Sequence, residues 1–371
     1  MATFGGYNEG KYGETKIGYE DKDVACGRHK LVPSMSISGL QAEVFSIRFS
    51  PCGKWLAAAC GDGAVRVFAT TSGALAQTLL TPQFSNGLPC TIARWRPVGN
   101  TERTKNVLLT GNAHGALQHW HVTSGKCLNS YIDEENQIYA LDYLPSGDRF
   151  AAAGKDPIIK IFDEDTRQLV STLKGGFGFG LKGEHGHSNR IFSLKFDSSD
   201  PNILASAGWD NTIQIWDCRQ ERSVRTIYGP HLCGDSLDIS DDNILAGSWK
   251  PTEQLQIYSL STGQLVRTID WSSSYLSKQE PLMVYAAQYS KPTNSEFLAA
   301  GGSGANEARV FDINNKYGLV GTVTGLARGV FTLDFAPNGR RLSVAGGDAT
   351  IRIIDIVSRE EWELERPGNA Q

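Results

Sequence analysis

Gly178, Gly180 and Gly183 stand in the order GxGxxG, the spacing with which a dinucleotide site brings phosphate to a helix N-terminus. That chemistry needs a strand before the run and a helix after it. Both flanks read as strands with no helical periodicity, so the run predicts a loop carrying Phe177 and Phe179 rather than a cofactor cradle. His114, His119 and His121 supply imidazoles that could ligate a metal. On a strand, positions 119 and 121 share a face while 114 lies across a turn, and no cysteine or carboxylate completes a tetrahedral set. No GxSxG nucleophile elbow and no Walker phosphate loop occurs. The seven cysteines (Cys26, Cys52, Cys60, Cys90, Cys127, Cys218 and Cys233) form no CxxC pair, and an odd, scattered set reads as reduced thiols. The expectation is a chain with no catalytic residue, no cofactor and no metal.

The bulk numbers point the same way. Hydrophobic residues at 40% and charged residues at 20% describe a soluble globular protein, and 40 glycines signal many tight turns. A net charge of −4 with no basic block gives no electrostatic reason to expect nucleic acid or an anionic membrane. No apolar stretch approaches the roughly 18 residues needed to span a bilayer. The first seven residues lack the charged and apolar regions of a signal peptide. The expected location is cytoplasmic, with a cytoskeletal association or a nuclear site left open.

What must position any functional side chain is a repeat. The phrase Val44–Phe49 returns as Ile138–Tyr143, Ile191–Phe196, Val284–Tyr289 and Val330–Phe335, with weaker copies at 90–95 and 234–239. Each copy is short, β-branched and aromatic, and apolar on both sides of the alternation, as a strand buried on both faces reads. A turn, a small-residue strand, a second turn and a strand ending in a large apolar residue follow. That last residue comes 24 positions after the first in four copies (44 to 68, 138 to 162, 234 to 258, 330 to 354). It comes 25 after in one (191 to 216), and 30 (90 to 120) and 27 (284 to 311) in the others. A fourth strand closes each unit, often after a Ser/Thr-Gly turn. Phe45, Tyr139, Phe192, Tyr285 and Phe331 form a column that alternation places on one face with Ile47, Leu141, Leu194 and Leu333, and so predicts as core.

Seven units of four antiparallel strands are the pattern of a propeller. The fourth unit adds Gly186-His187 before its first strand, Trp209-Asp210 in its second turn and Trp216-Asp217 at the end of its third strand. With these residues the chain resembles the WD-repeat family over roughly 31–357. The resemblance implies an all-β, seven-bladed propeller of four-stranded blades. It also implies a hydrogen-bonded chain of His187, Ser206, Asp210 and Trp216 inside the blade, which satisfies polar groups the packing buries, and a Trp209 that points to the rim. Other units keep fragments of the motif, such as Asp62, Asp156, Asp348 and Trp120. The last unit supplies three strands up to Ile356, so residues 31–39 are expected to close the ring as its fourth. The segment 360–364 is the weaker candidate for that place.

This division leaves 1–30 as an extended arm, 31–357 as the propeller and 358–371 as an acidic tail. Loops on a rigid scaffold are where binding residues concentrate. Three long loops at 81–88, 174–188 and 270–282 are expected on one rim, carrying Phe84, Leu88, Phe177, Phe179, Leu181, Trp271, Tyr275 and Leu276. Lys155, Trp209, Trp249, Arg190 and Arg328 are expected beside them. The function expected is a non-enzymatic interaction scaffold within a multi-subunit protein complex. A reader of one short peptide at the channel mouth is the alternative. No nucleic acid, membrane or small-molecule substrate is expected.

Overall fold

Each repeat phrase is the innermost strand of an antiparallel sheet, and the sheets stand around a central channel. The computed structural model describes residues 16–18, 27–81, 87–98, 105–175, 186–271, 281–291 and 295–365. Blade one is Val44–Phe49, Trp55–Cys60, Val65–Ala69 and Leu75–Leu79, hydrogen-bonded in sequence order from the channel outward. Blades two, three, four and six begin with inner strands Cys90–Trp95, Ile138–Tyr143, Ile191–Phe196 and Met283–Tyr289. Blade five has only the short inner strand Leu237–Ser240, preceded by a loop at the place of the expected strand start. In blade seven the strand His29–Ile37 pairs antiparallel with Ile351–Ser358, Leu31 opposite Ile356 and Ile37 opposite Ile351. Two chain segments far apart in sequence thus share one sheet, and the ring closes without a free seam.

The small-residue strands explain how blades pack. Successive residues of a strand point to opposite faces, so Ala57 and Ala59 enter the core shared with blade two while Ala58 enters the core shared with blade seven. Seven such cores, each between two neighbouring blades, hold the described hydrophobic interior. Among the described residues, no blade has a core of its own. The alanines lie on second strands, where their small side chains leave room for large residues of the neighbouring blade such as Trp95.

Two features depart from the sequence reading. Lys16–Gly18 adds a fifth strand to blade six, on the outer strand Gly318–Thr324. Val320 there is only 4% exposed and shares a core with Leu31, whereas the corresponding Val170 and Val266 are 49% and 58% exposed. The segment 360–364 does not compete for the closing strand either. It belongs to a helix, Arg359–Glu365, whose Trp362 ring lies 3.9 Å from the Lys30 ammonium.

Candidate functional site: the loop-rich mouth of the channel

The turn between second and third strands and the residues just before the inner strand meet at one end of the ring. Backbone bonds join them in blade after blade: Gly61 N to Glu43 O, Lys155 N to Gln137 O, Trp209 N to Arg190 O, Trp249 N to His231 O and Gly347 N to Gly329 O. This fixes the turns bearing Lys155, Trp209 and Trp249 on the same rim as Arg190 and Arg328.

At this rim the aromatic column corrects the alternation argument. The register slips by one residue at the start of the inner strand in six blades, between 44 and 46, 90 and 92, 138 and 140, 191 and 193, 284 and 286, and 330 and 332. Each slip is a β-bulge, whose extra residue leaves the ladder and turns away from the face of its neighbours. Phe45, Tyr139, Phe192, Tyr285 and Phe331 are five of those six extra residues, with Thr91 the sixth, so they are not core. Phe45 is 37% exposed and the other four are half-buried. Gly208 faces the bulge of blade four, and a Cβ there would collide with the Arg190 carbonyl, so this turn requires glycine.

Freed from the core, the rings assemble in two arcs. One runs Tyr139–Phe192 (4.9 Å between centroids), Phe192–Trp209 (5.3 Å) and Trp209–His231 (6.4 Å). The other runs Trp249–Tyr285 (6.3 Å), Tyr285–Phe331 (5.5 Å) and Phe331–Phe45 (5.7 Å). The Arg190 guanidinium caps the first arc, 4.8 Å from the Trp209 ring, and Trp209 Nε1 donates to Cys233 Sγ at 3.1 Å. Among the described residues, the buried Trp249 Nε1 has no acceptor. Lys155 is exposed, and the largely exposed Arg328 lies 3.8 Å from Glu43.

Under Trp209 runs a polar chain. His187 Nδ1 meets Asp210 Oδ2 at 2.7 Å, His187 Nε2 meets Ser206 Oγ at 2.7 Å, and Trp216 Nε1 donates to the same hydroxyl at 2.7 Å. Asp210 also accepts from the Ser188 and Thr212 amides. Burial pushes its carboxyl up, but the bonds from His187, Ser188 and Thr212 outweigh that and hold it below the usual carboxylate range. Blade two, lacking the histidine, keeps only the bond from Trp120 Nε1 to Thr110 Oγ1 (3.1 Å).

Trp271, expected among exposed loop aromatics, is instead 5% exposed in the core between blades five and six. Its indole N–H donates to Glu307 at 2.9 Å and Arg309 stacks on its ring, so both its apolar body and its polar handle are satisfied inside. Leu88 is 41% exposed. Phe84, Phe177, Phe179, Leu181, Tyr275 and Leu276 lie outside the described residues, as does the GxGxxG run. The described residues hold no group of three or more side chains fit for a metal. His119 is committed to Glu164 at 3.0 Å, a buried carboxylate that also accepts from Tyr143 and Arg96, and His121 Nδ1 contacts Ser124 Oγ at 2.7 Å.

The opposite mouth was not anticipated. The fifth residue of the phrase is polar in every blade: Arg48, Arg94, Asp142, Lys195, Asp238, Gln288 and Asp334. Four of these accept the inner-strand amide of the next blade: Asp142 from Phe196, Asp238 from Tyr289, Gln288 from Phe335 and Asp334 from Phe49. Asp235, from the loop before blade five, bridges Arg48 of blade one, Arg94 of blade two (2.7 Å) and Ser193 of blade four. Burial, with Arg48 alongside, pulls the Arg94 guanidinium well below its ordinary range. A polar residue recurring inside an apolar phrase was the available signal.

Comparison with known proteins agrees with this architecture. The family model "WD domain, G-beta repeat" matches residues 32–68, 125–163, 181–217 and 318–355. The chain is 24% identical over 298 residues to the APC/C activator protein CDC20 of Saccharomyces cerevisiae, covering 68% of this chain and 46% of that protein. It is 26% identical over 284 residues to the U3 small nucleolar RNA-associated protein 21 homolog of Schizosaccharomyces pombe, covering 74% and 29%. It is 22% identical over 311 residues to the ribosome biogenesis protein WDR12 homolog of Drosophila mojavensis, covering 81% and 70%. The chain thus spans less than half the length of the first two relatives. Seven interleaved blades, the His187–Asp210 chain and these matches meet in one conclusion: the chain belongs to the WD-repeat family of β-propellers.

Proposed function

We propose that the chain is a non-enzymatic interaction scaffold, a subunit of a larger protein assembly that holds its main partner at the loop-rich mouth. The observation that carries this reading is the pair of aromatic arcs. Five of their eight rings sit on bulges and the other three on turns and loops of a closed ring, so little conformational entropy remains to be lost on binding. Trp, Tyr and Arg are also the side chains most often dominant at interfaces.

The relatives support an assembly role by their names: an activator of APC/C, a nucleolar RNA-associated protein and a ribosome biogenesis protein. Those names favour a nuclear assembly, and the cytoskeletal expectation finds no support among them. Capture of one short segment is the second reading, favoured by the confinement of the rings to the mouth. Against it, the mouth offers charges of both signs, Arg190, Lys155 and Arg328 beside Glu43 and Asp62.

Affinity purification of the full chain from native cells, beside the variant Trp209→Ala/Trp249→Ala/Tyr285→Ala, tests the proposal. The folded variant is expected to lose its main partner by roughly tenfold or more while retaining others bound elsewhere. Loss of every partner together supports the peptide reader. Unchanged recovery of all partners refutes binding at this mouth.

A further inference from the structure

We propose that the opposite mouth of the channel is a second binding site, and that it takes an acidic segment of a partner protein in which carboxylate side chains neighbour apolar ones. The site is a cavity of about 760 Å³ whose floor is the charge ring and whose rim is made by Pro51, Pro97, Val98, Pro145 and Pro337. The inference is independent of the loop-rich mouth, which lies at the other end of the ring.

The charges in this cavity balance in number but not in accessibility. Each of the four carboxylates already faces an amide, a hydroxyl or a cation of the cavity wall. Asp334 accepts from Lys291 (2.8 Å) and the Phe49 amide, and Asp142 faces the Phe196 amide and Arg94 (3.7 Å). Asp238 accepts from Lys195 (2.9 Å) and the Ile239 and Tyr289 amides, and Asp235 from Ser193, Arg48 and Arg94. An ammonium carries three N–H donors, yet Lys195 and Lys291 each spend one on a carboxylate.

Depth reinforces the asymmetry. The lysine side chains are 31% and 30% exposed, while Asp238 and Asp334 behind them are 8% and 0% exposed. An incoming group therefore meets ammonium groups with spare donors in front of carboxylates that are buried. That arrangement favours an acceptor bearing negative charge over a cation, which would have to pass the two ammonium groups. The rim supplies the second half of the recognition. Val98 is 65% exposed beside the four prolines, an apolar collar around a donor floor. Apolar side chains of the segment rest on the collar while its carboxylates reach Lys195 and Lys291 through charge-assisted bonds.

A library of random dodecapeptides displayed on phage, panned on the immobilised full chain, tests this. The same panning is run on Lys195→Gln/Lys291→Gln, on Val98→Glu and on Arg190→Gln. The expected pool is rich in Asp and Glu next to Leu, Ile or Phe, falls about tenfold or more on the first two variants, and persists on Arg190→Gln. Val98→Glu touches no ion pair, so it decides the matter even where the double variant melts early. A pool without acidic enrichment, no saturable pool, or equal recovery on native chain and Val98→Glu overturns the proposal. A pool lost only on Arg190→Gln assigns it to the loop-rich mouth and overturns it equally.

Discussion

The two ends of the channel are built from the same six-residue phrase and have opposite chemistry. At the loop-rich end the second residue of the phrase leaves the ladder on a bulge and presents a ring. At the other end the fifth residue stays in register and presents a charge or amide, much of it committed to the amide of the next blade. The bulged rings touch their neighbours' rings at a solvent-facing mouth, whereas the residues at the other end join blades through buried hydrogen bonds. The ionic end should therefore matter most for stability, and the aromatic end for what the propeller binds.

The largest test of that division is Asp235→Ala. It leaves Arg48 and Arg94 facing each other without their shared carboxylate, and should cost about 3–5 kcal/mol in denaturant melts. A loss comparable to that of an exposed residue would break the comparison.

Next comes Asp210→Ala, which strands His187 beneath the aromatic arc and should cost about 1–3 kcal/mol. Because its folded carboxyl lies below the usual range, its contribution is complete above the unfolded value and is lost as pH falls through the folded one. The gap between native chain and variant, followed by calorimetry, should therefore shrink in acid below about pH 4. A gap that widens there would reverse the sign of the argument.

Trp209→Ala should cost less, about 1 kcal/mol for a half-exposed ring stacked on Phe192. If it proves costlier than Asp210→Ala, the indole is structural and the arc loses its claim to be a binding surface. Lys155→Ala, fully on the surface, should fall within about 0.5 kcal/mol of the native chain.

The spacing of phrase and closing residue made the blade count and ring closure legible, since both depend on strand length and on a missing fourth strand. The bulges were not legible. Strict alternation put Phe45 with Ile47, and one extra residue per inner strand, invisible to a period of two, moved it to the mouth. Trp271 misled because a tryptophan within a long connection looks exposed, yet its partners Glu307 and Phe311 come from the next blade. Asp235 was hidden by the poorest copy of the phrase, whose short strand lets the preceding loop enter the channel. Lys16–Gly18 is too short to show a pattern, and only the open edge of blade six reveals its place.

The central claim is that the loop-rich mouth is the main partner surface. Hydrogen exchange of the full chain, alone and with its principal co-purified partner, tests it most directly. The account predicts slowed exchange at the amides of 187–190, 208–212 and 248–250, with those of 165–172 on the outer edge of blade three unchanged. Slowed exchange confined to outer-strand amides, with the mouth unaffected, would contradict it.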